Sequence, residues 1–565
     1  MTPRRLTVTL AIAVLAGSGD ARRTSAWSVS AAIVGETLPA DQAGAAAVPG
    51  LDELRRVLAA EQAAQAARLP PVEARDFTAF YTATAGGLVW VDSAGGFTPP
   101  ARAALALLND AAAEGLDPAD YGAAALSVQV AGLAGPAARS ARAIAQFDLA
   151  LTIGMLRYYR HLHLGRIDPR TLGLQIVAPD DGHDFADLLR SAIRGGRIAE
   201  TAAELSPPLS QYLALKSALG RYRTRAASAL DRPSFTVTVR PGDSFGDLGR
   251  LHRLLVLVGD LPADTPLPAL YDETLAAGMA RFQDRHGLAP DAVIGRATQA
   301  ALAVPLTWRV RQIELALERL RWLPDLSAGP LIAVNIPMFR LWAWDRVPSS
   351  APPALTMAVI VGRALNTRTP VFADRMEYVI FRPYWNVPQS ILVNEILPAV
   401  RRDAGYLARE NLEIVHGPAD ASPILAPTAD HIAELGRGGV RLRQRPGPAN
   451  ALGLIKFMFP NQNDVYMHAT PAPRLFQQSR RDFSHGCIRV ENPVALAEWA
   501  LGRDPSWPRD AIVAAMSGAS NRRVDLPEPI QVVIFYTTAV VGPEDGRVHF
   551  AADIYGQDVR LDRAL

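Results

Sequence analysis

The sequence contains a single cysteine, Cys487, among its 565 residues. One cysteine cannot form a disulfide within its own chain, so a disulfide framework is excluded as a source of stability. In an exported protein a lone thiol is a liability unless it is used, because oxidising compartments favour thiol oxidation. The lack of a second cysteine therefore favours a reactive role for Cys487.

Lysine is almost absent, since only Lys216 and Lys456 contribute to the 58 lysine and arginine residues. The formal net charge is +2, and no basic run is interleaved with aromatic residues in the way that single-strand nucleic-acid binding requires. The abundant arginine, alanine and proline indicate a compositional bias of the genome. Nucleic acid is therefore not expected as a partner.

Long apolar runs are also missing. Beyond the N-terminus no stretch reaches the roughly 18 uninterrupted apolar residues that a membrane helix needs, so no stable membrane insertion is expected after export. Residues 1–26 have a basic start, an apolar run from Leu6 to Gly17 and small residues after it. This layout is typical of a secretory signal peptide, with an uncleaved membrane anchor as the alternative.

The residues that are present indicate several domains. With 49% hydrophobic residues the chain is long enough for roughly three to four of them. Residues 27–70 combine a linker rich in Ala, Gly, Ser and Pro with a helix, and residues 71–232 have a mostly helical pattern. Residues 307–565 change to runs of β-branched and aromatic residues typical of strands, with charged helical sequence inserted at about 390–436.

Residues 233–306 carry the motif Phe282–Thr298 and three short predicted helices, Leu248–Val258, Leu275–His286 and Ala297–Ala303. The motif resembles that of the small three-helix peptidoglycan-binding module, whose signature is Phe-Gln, then His-Gly-Leu, Asp-Gly and Gly-x-x-Thr. Here His286-Gly287-Leu288 matches, whereas Ala292 stands where that family usually carries glycine. The resemblance implies wall binding, and packing against neighbouring domains is the alternative.

The chemistry centres on Phe483–Val490, which holds the cysteine between Gly486 and Arg489. A cysteine reacts as the thiolate and needs a nearby base or positive charge. His485 stands two residues before Cys487, and His468 ends a strand-like run upstream, where a cross-strand base would lie. The residues alone leave both histidines open as the base, with His468 favoured.

The neighbours of the cysteine suit acyl chemistry. Gly486 allows a tight turn that aims backbone N–H groups at a substrate oxyanion, and such donors are typically worth about 10²–10³ in rate. Arg489 is placed to hold a substrate carboxylate through its guanidinium fork. An inert cysteine and a metal site are the alternatives. Because Cys487, His468 and His485 offer no carboxylate at ligand spacing, neither a metal nor a cofactor is predicted.

The motif Ser484–Arg489, preceded by His468-Ala469-Thr470, resembles the active-site signature of the L,D-transpeptidase family. Further matching stretches are Arg319–Pro324, Pro383–Pro388 and Arg443–Pro448, so the resemblance extends over most of the chain. It implies the multidomain α+β architecture of large periplasmic members of Gram-negative bacteria. That architecture has a helical scaffold domain, the peptidoglycan-binding module and a mainly β, sandwich-like catalytic domain with a helical capping insertion.

The resemblance also implies a reaction and its residues. Cys487 would attack the meso-diaminopimelate carbonyl of a tetrapeptide stem, release D-alanine and pass the acyl group to a second diaminopimelate amine, which gives a 3–3 cross-link. His468 would be the base, the Ala469 carbonyl would orient it, and the N–H groups of Gly486 and Cys487 would form the oxyanion hole. Ala469 departs from the common glycine, and its role survives unless the backbone requires positive φ. The implied substrate-binding residues are Arg489, Ser484, His485, Trp385 and Asn386.

The implied partners are peptidoglycan stem peptides, as donor and as acceptor, and the sequence identifies no further partner in cell-wall synthesis. The acceptor itself stays open. Water would make the protein an L,D-carboxypeptidase or hydrolase, and a lysine of an outer-membrane lipoprotein would make it an anchoring transferase. A non-catalytic peptidoglycan-binding scaffold is the alternative from another functional class.

Overall fold

The computed structural model describes residues 51–92, 96–133, 140–176, 182–228, 230–326, 329–346, 352–364, 367–403 and 405–565. The predicted signal peptide and the linker before residue 51 lie outside the described residues. None of the helices in the described ranges is long and apolar enough to cross a membrane.

The N-terminal part is helical. Its longest helix, α5, buries side chains around most of its circumference and packs against α1 to α4, α6 and α7. Helix starts follow local capping, since Thr98 accepts the Ala101 N–H before α3 and Ser140 accepts the Ala143 N–H before α5. The helices are α1 Leu51–Ala66, α2 Pro71–Ala83, α3 Pro99–Asn109, α4 Ala123–Gly132, α5 Ala141–Leu164, α6 Phe185–Gly195, α7 Ile198–Leu205 and α8 Ser210–Ala226.

A smaller helical body follows, formed by α9 Leu248–Val258, α10 Glu273–Asp284 and α11 Arg296–Ala303 around its own apolar cluster. Ala292 lies in the turn between α10 and α11 with φ = 57°. Only glycine reaches this left-handed region without a steric cost, which explains why the module's signature carries glycine at this position.

The motif face of this body is covered by the C-terminal part of the chain. The ring of His286 stacks on Phe282 and faces Phe550, with ring centroids 3.9 and 5.7 Å away. The Phe550 N–H donates to the Arg285 carbonyl at 2.8 Å, and Arg285 forms a buried ion pair with Asp260. This helical body therefore packs against β15 through Arg285 and His286.

Helix α12, Leu306–Arg321, connects the helical and β-rich parts. It packs on α8, and Leu320 and Trp322 at its end lie in two different apolar clusters. Arg319 donates to Asp558 near the C-terminus, and Arg321 donates to the Tyr212 hydroxyl of α8 at 2.8 Å. The predicted match at Arg319–Pro324 therefore lies where the two parts join.

The C-terminal part is mainly β. Its strands are β1 Leu331–Asn335, β2 Arg340–Trp344, β3 Leu355–Gly362, β4 Phe372–Phe381, β5 Trp385–Asn386, β6 Leu412–Val415, β7 Ile424–Leu425, β8 Arg441–Gln444, β9 Ile455–Met458, β10 Met467–His468, β11 Asp482–Ser484, β12 Ile488–Val490, β13 Arg522–Phe535, β14 Ala539–Val541 and β15 Val548–Phe550. Its helices are α13 Gln389–Ile391, α14 Leu397–Arg402, α15 Tyr406–Arg409, α16 Ala429–Arg437, α17 Pro493–Leu501, α18 Arg509–Ser517 and α19 Gln557–Ala564.

Nine described strands form the main sheet in the order β11-β3-β12-β10-β9-β4-β13-β1-β2, and β2 also pairs with β3. All strands except β11 therefore form a closed ring, which leaves no open edge between β2 and β3. Side chains at alternate strand positions point inward and fill the interior of this ring. The fold is a multidomain α+β fold, as predicted, with the sheet closed on itself instead of split into two sheets.

The insertion between β4 and β9 differs from its prediction as a helical segment at about 390–436. It also contains a four-stranded sheet, ordered β5-β8-β6-β7, which begins at Trp385 and has its own apolar cluster. These strands are two to four residues long. Such short strands give too little alternation to be recognised in the sequence, whereas the charged helices between them are easily seen.

Candidate active site

Cys487 lies in a tight turn between β11 and β12. Gly486 has φ = 118°, a conformation that side chains other than glycine rarely adopt, so the turn depends on this glycine. The Ser484 hydroxyl donates to the Cys487 carbonyl at 2.6 Å and accepts the Gly486 N–H at 3.2 Å. Ser484 is 2% exposed. Its two hydrogen bonds hold the turn, and the substrate contact expected of Ser484 stays a prediction.

A second hydroxyl fixes the turn from the opposite side. Buried Thr369 donates to the Gly486 carbonyl at 2.7 Å and accepts the Gly362 N–H at 2.9 Å, while its own N–H donates to the Tyr555 hydroxyl. A Cβ on Gly362 would lie 1.9 Å from the Thr367 carbonyl oxygen, so only glycine fits there. The nucleophile turn is thus held by a loop that follows β3.

His468 ends β10 and is 4% exposed. Its Nδ1 lies 2.6 Å from the Ala469 carbonyl, which can only accept, so Nδ1 carries the proton and Nε2 keeps its lone pair. Burial, together with the charge of Arg489, lowers the pKa of His468 to about 3. The imidazole is therefore neutral at pH 7 and able to accept a proton. Ala469 is not among the residues with positive φ, so the alanine causes no strain here.

Sheet register brings the polar residues onto one face. His468 pairs with Lys456 of β9 on one side and with Arg489 of β12 on the other. Met467 and Ile488, which precede His468 and Arg489 on the same strands, are fully buried in the core. Because side chains alternate along strands, Lys456, His468 and Arg489 lie on the opposite face from the core.

The sulfur of Cys487 lies near the start of β10 rather than against the imidazole. Its Sγ–H donates to the Asp464 carbonyl at 3.7 Å, and the N–H and hydroxyl of Tyr466 approach the sulfur as donors. Within the described residues no hydrogen bond joins Cys487 to His468. Burial raises the pKa of the Cys487 thiol, and the Tyr466 donors and Lys456 oppose that effect. The resting pair is thus a neutral thiol and a neutral imidazole.

Arg489 is close enough to Cys487 for their charges to interact. Burial lowers the pKa of Arg489, and the nearby charge of Arg363 adds to this effect. Its buried Nε has no hydrogen-bond partner among the described residues. Two neighbouring guanidinium groups, one of them incompletely satisfied, make this part of the site suited to a carboxylate.

His485 points to the inserted lobe. Its Nε2 lies 2.6 Å from Oε1 of Glu395, which belongs to a π-helical turn, Leu392–Ile396, between α13 and α14. The structure therefore places His485 at the contact between the nucleophile turn and the insertion. His468, in contrast, lies on β10, which pairs with the strand that follows Cys487.

Trp385 and Asn386 form β5 within the insertion. Trp385 packs against the apolar cluster of the lobe, and the Asn386 side-chain oxygen accepts from Arg441. The described residues show no hydrogen bond from either side chain to the nucleophile turn. The structure therefore brings together Cys487, His468 and Arg489. It places Trp385 and Asn386 within the inserted lobe.

Sequence reasoning missed four neighbours of the site: Lys456, Tyr466, Thr369 and Glu395. Thr369 and Glu395 are distant in sequence and reach the turn only through tertiary packing. Lys456 did leave a signal, because it is one of two lysines in a chain that otherwise uses arginine. Within the described residues no group of three or more His, Cys, Asp or Glu side chains is placed to hold a metal ion.

Comparisons with known proteins match two regions of the chain. Residues 329–516 match the model of the L,D-transpeptidase catalytic domain, and residues 75–219 match a scaffold domain. A protein of Haemophilus influenzae named "Putative L,D-transpeptidase" is 29% identical over 255 residues, which are 45% of this chain and 49% of that relative. The chain spans about half the length of this curated relative.

One solved structure, the L,D-transpeptidase (residues 123–326) from Xylanimonas cellulosilytica, aligns with 54% of this chain and 100% of its own at 14% identity. The TM-score is 0.17, which is too low for this structure to support a conclusion about the chain. The two domain matches and the H. influenzae relative point the same way. The chain carries a scaffold domain followed by an L,D-transpeptidase catalytic domain, and it fits the L,D-transpeptidase family.

Proposed function

We propose that the protein is a peptidoglycan L,D-transpeptidase that uses Cys487 as a covalent nucleophile. The observation that carries the proposal is the joint placement of Cys487 and His468, one in a rigid turn and the other on the adjacent strand with its Nδ1 proton directed to the Ala469 carbonyl. This orientation leaves Nε2 available as a base. The substrate is the tetrapeptide stem, attacked at the meso-diaminopimelate carbonyl.

The protonation states of Cys487 and His468 support a general-base step. Attack forms the S–C bond while the thiol proton passes to His468 Nε2, and collapse of the tetrahedral intermediate breaks the C–N bond as that proton passes to departing D-alanine. The thioester then reacts with the side-chain amine of a second diaminopimelate, which forms the amide and frees the thiol. The low pKa of His468 makes imidazolium a good proton donor to the leaving amine.

The oxyanion donor that we assign is the Cys487 N–H, which has no acceptor among the described residues. The Gly486 N–H donates to Ser484 Oγ in this structure, so it joins the oxyanion hole only if that bond opens. Each well-placed donor is typically worth about 10²–10³ in rate. For the stem carboxylate we assign Arg489, assisted by the nearby charge of Arg363.

The proposed domain organisation suits a periplasmic enzyme that acts on the wall. We assign residues 1–26 as the signal peptide, 71–232 as the scaffold domain, 233–306 as the module and 307–565 as the catalytic domain. The lobe around Glu395 would cap the bound stem. Docking of the His286 face on Phe550 favours a structural role for the module over glycan binding through that face. This observation also weakens the alternative of a pure wall-binding scaffold.

The test is incubation of the purified protein with defined tetrapeptide muropeptides, followed by mass analysis of products. Wild type is expected to release D-alanine and to form 3–3 dimers, and Cys487→Ala is expected to form neither while its melting curve is unchanged. A tripeptide product without dimer would identify water as the acceptor. Cross-linking that persists in Cys487→Ala would overturn the cysteine mechanism.

A further inference from the structure

Lys456 occupies a position in the site that the reaction described above does not use. It lies on β9 in register with His468, on the face of the sheet that carries the catalytic groups. The ring of Tyr466 lies below its ammonium, with Nζ 5.2 Å from the ring centroid. No carboxylate forms an ion pair with Lys456 among the described residues, although most of the side chain is shielded from water.

This arrangement is unusual for a buried cation. An ammonium removed from water needs a compensating partner, and the ring face of Tyr466 supplies part of it. Burial lowers the pKa of Lys456, and the negative forms of Asp420 and Cys487 act in the opposite direction. Asp420 is an exposed residue of the inserted lobe. The Cys487 thiolate is thus one of two anions that the Lys456 ammonium can stabilise.

The same Tyr466 links Lys456 to the sulfur. Its phenol hydroxyl hydrogen-bonds to Cys487, and its ring also contacts His468 edge-on at 5.8 Å between centroids. Lys456 therefore lies on the ring of the residue whose hydroxyl meets the nucleophile. A positive charge on that ring strengthens the phenol as a donor and lowers the electrostatic energy of a thiolate beyond it.

All charged or titratable groups around the sulfur enter this balance. Asp464 disfavours the thiolate, whereas Lys456 and the Tyr466 donors favour it. Arg489 acts on both members of the pair, since its charge couples to Cys487 and disfavours imidazolium at His468. Lys456 has the same double effect on thiolate and imidazolium.

We propose that Lys456 is a positioning residue, which acts through Tyr466 to stabilise the developing thiolate of Cys487 and to keep His468 from retaining the proton that it removes. This role rests on the proposed function, because it assumes that the Cys487 thiolate is the nucleophile. The role requires a positive charge over the Tyr466 ring, where the Lys456 ammonium lies.

The test measures the sulfur directly and needs no peptidoglycan. The full-length protein is alkylated with iodoacetamide over a pH range that extends from about 7 to about 11.5, and the rate at each pH is followed by intact mass. Lys456→Met is expected to move the midpoint upward by about one pH unit, which slows alkylation at pH 7 about tenfold. Lys456→Arg keeps the charge and is expected to restore most of the wild-type profile.

Two controls separate this effect from misfolding. Lys216→Met changes the other lysine, which pairs with Glu114 in the helical part, and is expected to leave the thiol profile unchanged. Lys456→Gln provides a polar substitute if the methionine variant does not fold, and it is expected to shift the midpoint in the same direction. Melting curves confirm that the variants compared are folded.

The outcomes are distinguishable from those for the proposed function. A midpoint that stays within about 0.2 pH units in a folded Lys456→Met or Lys456→Gln protein would overturn the role of Lys456. So would a higher KM for stem peptide with an unchanged thiol profile, since this would make Lys456 a substrate-binding group. A shifted profile in a protein that does not cross-link would retain the Lys456 role and refute the transpeptidase proposal.

Discussion

At the scale of single residues, Thr369 shows how a buried hydroxyl controls a reactive turn. Its hydroxyl donates to the Gly486 carbonyl and accepts the Gly362 N–H, so one side chain ties the nucleophile turn to the end of β3. Thr369→Val preserves shape and leaves both backbone groups without a partner. We expect the free energy of unfolding to fall by about 1–3 kcal/mol, which urea titration measures.

The same substitution should affect chemistry, because a turn that moves by a fraction of an ångström misplaces the sulfur and the Cys487 N–H. We expect the rate of acylation by stem peptide to fall roughly tenfold or more. Thr369→Ser keeps the hydroxyl and serves as the matched control, with both properties near wild type. Normal acylation by a folded Thr369→Val protein would show that Gly486 is held well enough by Ser484 alone.

At the scale of secondary-structure elements, the insertion meets the nucleophile turn through Glu395 and His485. The π-helical turn Leu392–Ile396 places Glu395 toward the turn, and such turns are frequent at functional sites. Glu395 is 52% exposed and His485 28%, so we expect Glu395→Ala to change overall stability by less than about 1 kcal/mol. Amide exchange across α14 should nevertheless become faster, as hydrogen–deuterium exchange would show.

The matched control for this prediction is Glu410→Ala, another exposed glutamate of the insertion, which is expected to leave exchange in α14 unchanged. A lobe whose exchange is insensitive to Glu395→Ala would mean that its apolar cluster alone fixes its position. If the contact does hold the lobe over the site, KM for the stem peptide should rise in Glu395→Ala more than kcat falls.

The elements also show where prediction from sequence succeeds and where it stops. The helix at Leu248–Val258 was predicted with the observed bounds, because its apolar residues repeat at helical spacing. Cys487, His468 and Arg489 could be singled out because the chain has one cysteine, a strand-like run ends at His468 and Arg489 follows the cysteine by two residues, and their roles stay predictions. Lys456 and Tyr466 join them only through the register of β9, β10 and β12, which no local pattern encodes.

At the scale of the whole molecule, the proposed module formed by α9 to α11 contains a buried ion pair next to the residues that pack on β15. Asp260 accepts from Arg285 at 2.6 to 3.0 Å, and the two side chains are 0% and 3% exposed. Arg285 also donates to the Val548 carbonyl, and its own carbonyl accepts the Phe550 N–H. The pair therefore supports the module's interior and its docking on β15 at the same time.

Asp260→Asn leaves the Arg285 guanidinium buried without its counter-charge. We expect the free energy of unfolding of the full chain to fall by about 3–5 kcal/mol in urea titration, because a buried charge that loses its partner retains its desolvation cost. Glu498→Gln removes one side of an exposed pair with Arg509, 46% and 58% exposed, and should cost less than about 1 kcal/mol. Equal effects of the two substitutions would contradict the docking role, and a separate early transition in Asp260→Asn would identify the module as the part that detaches first.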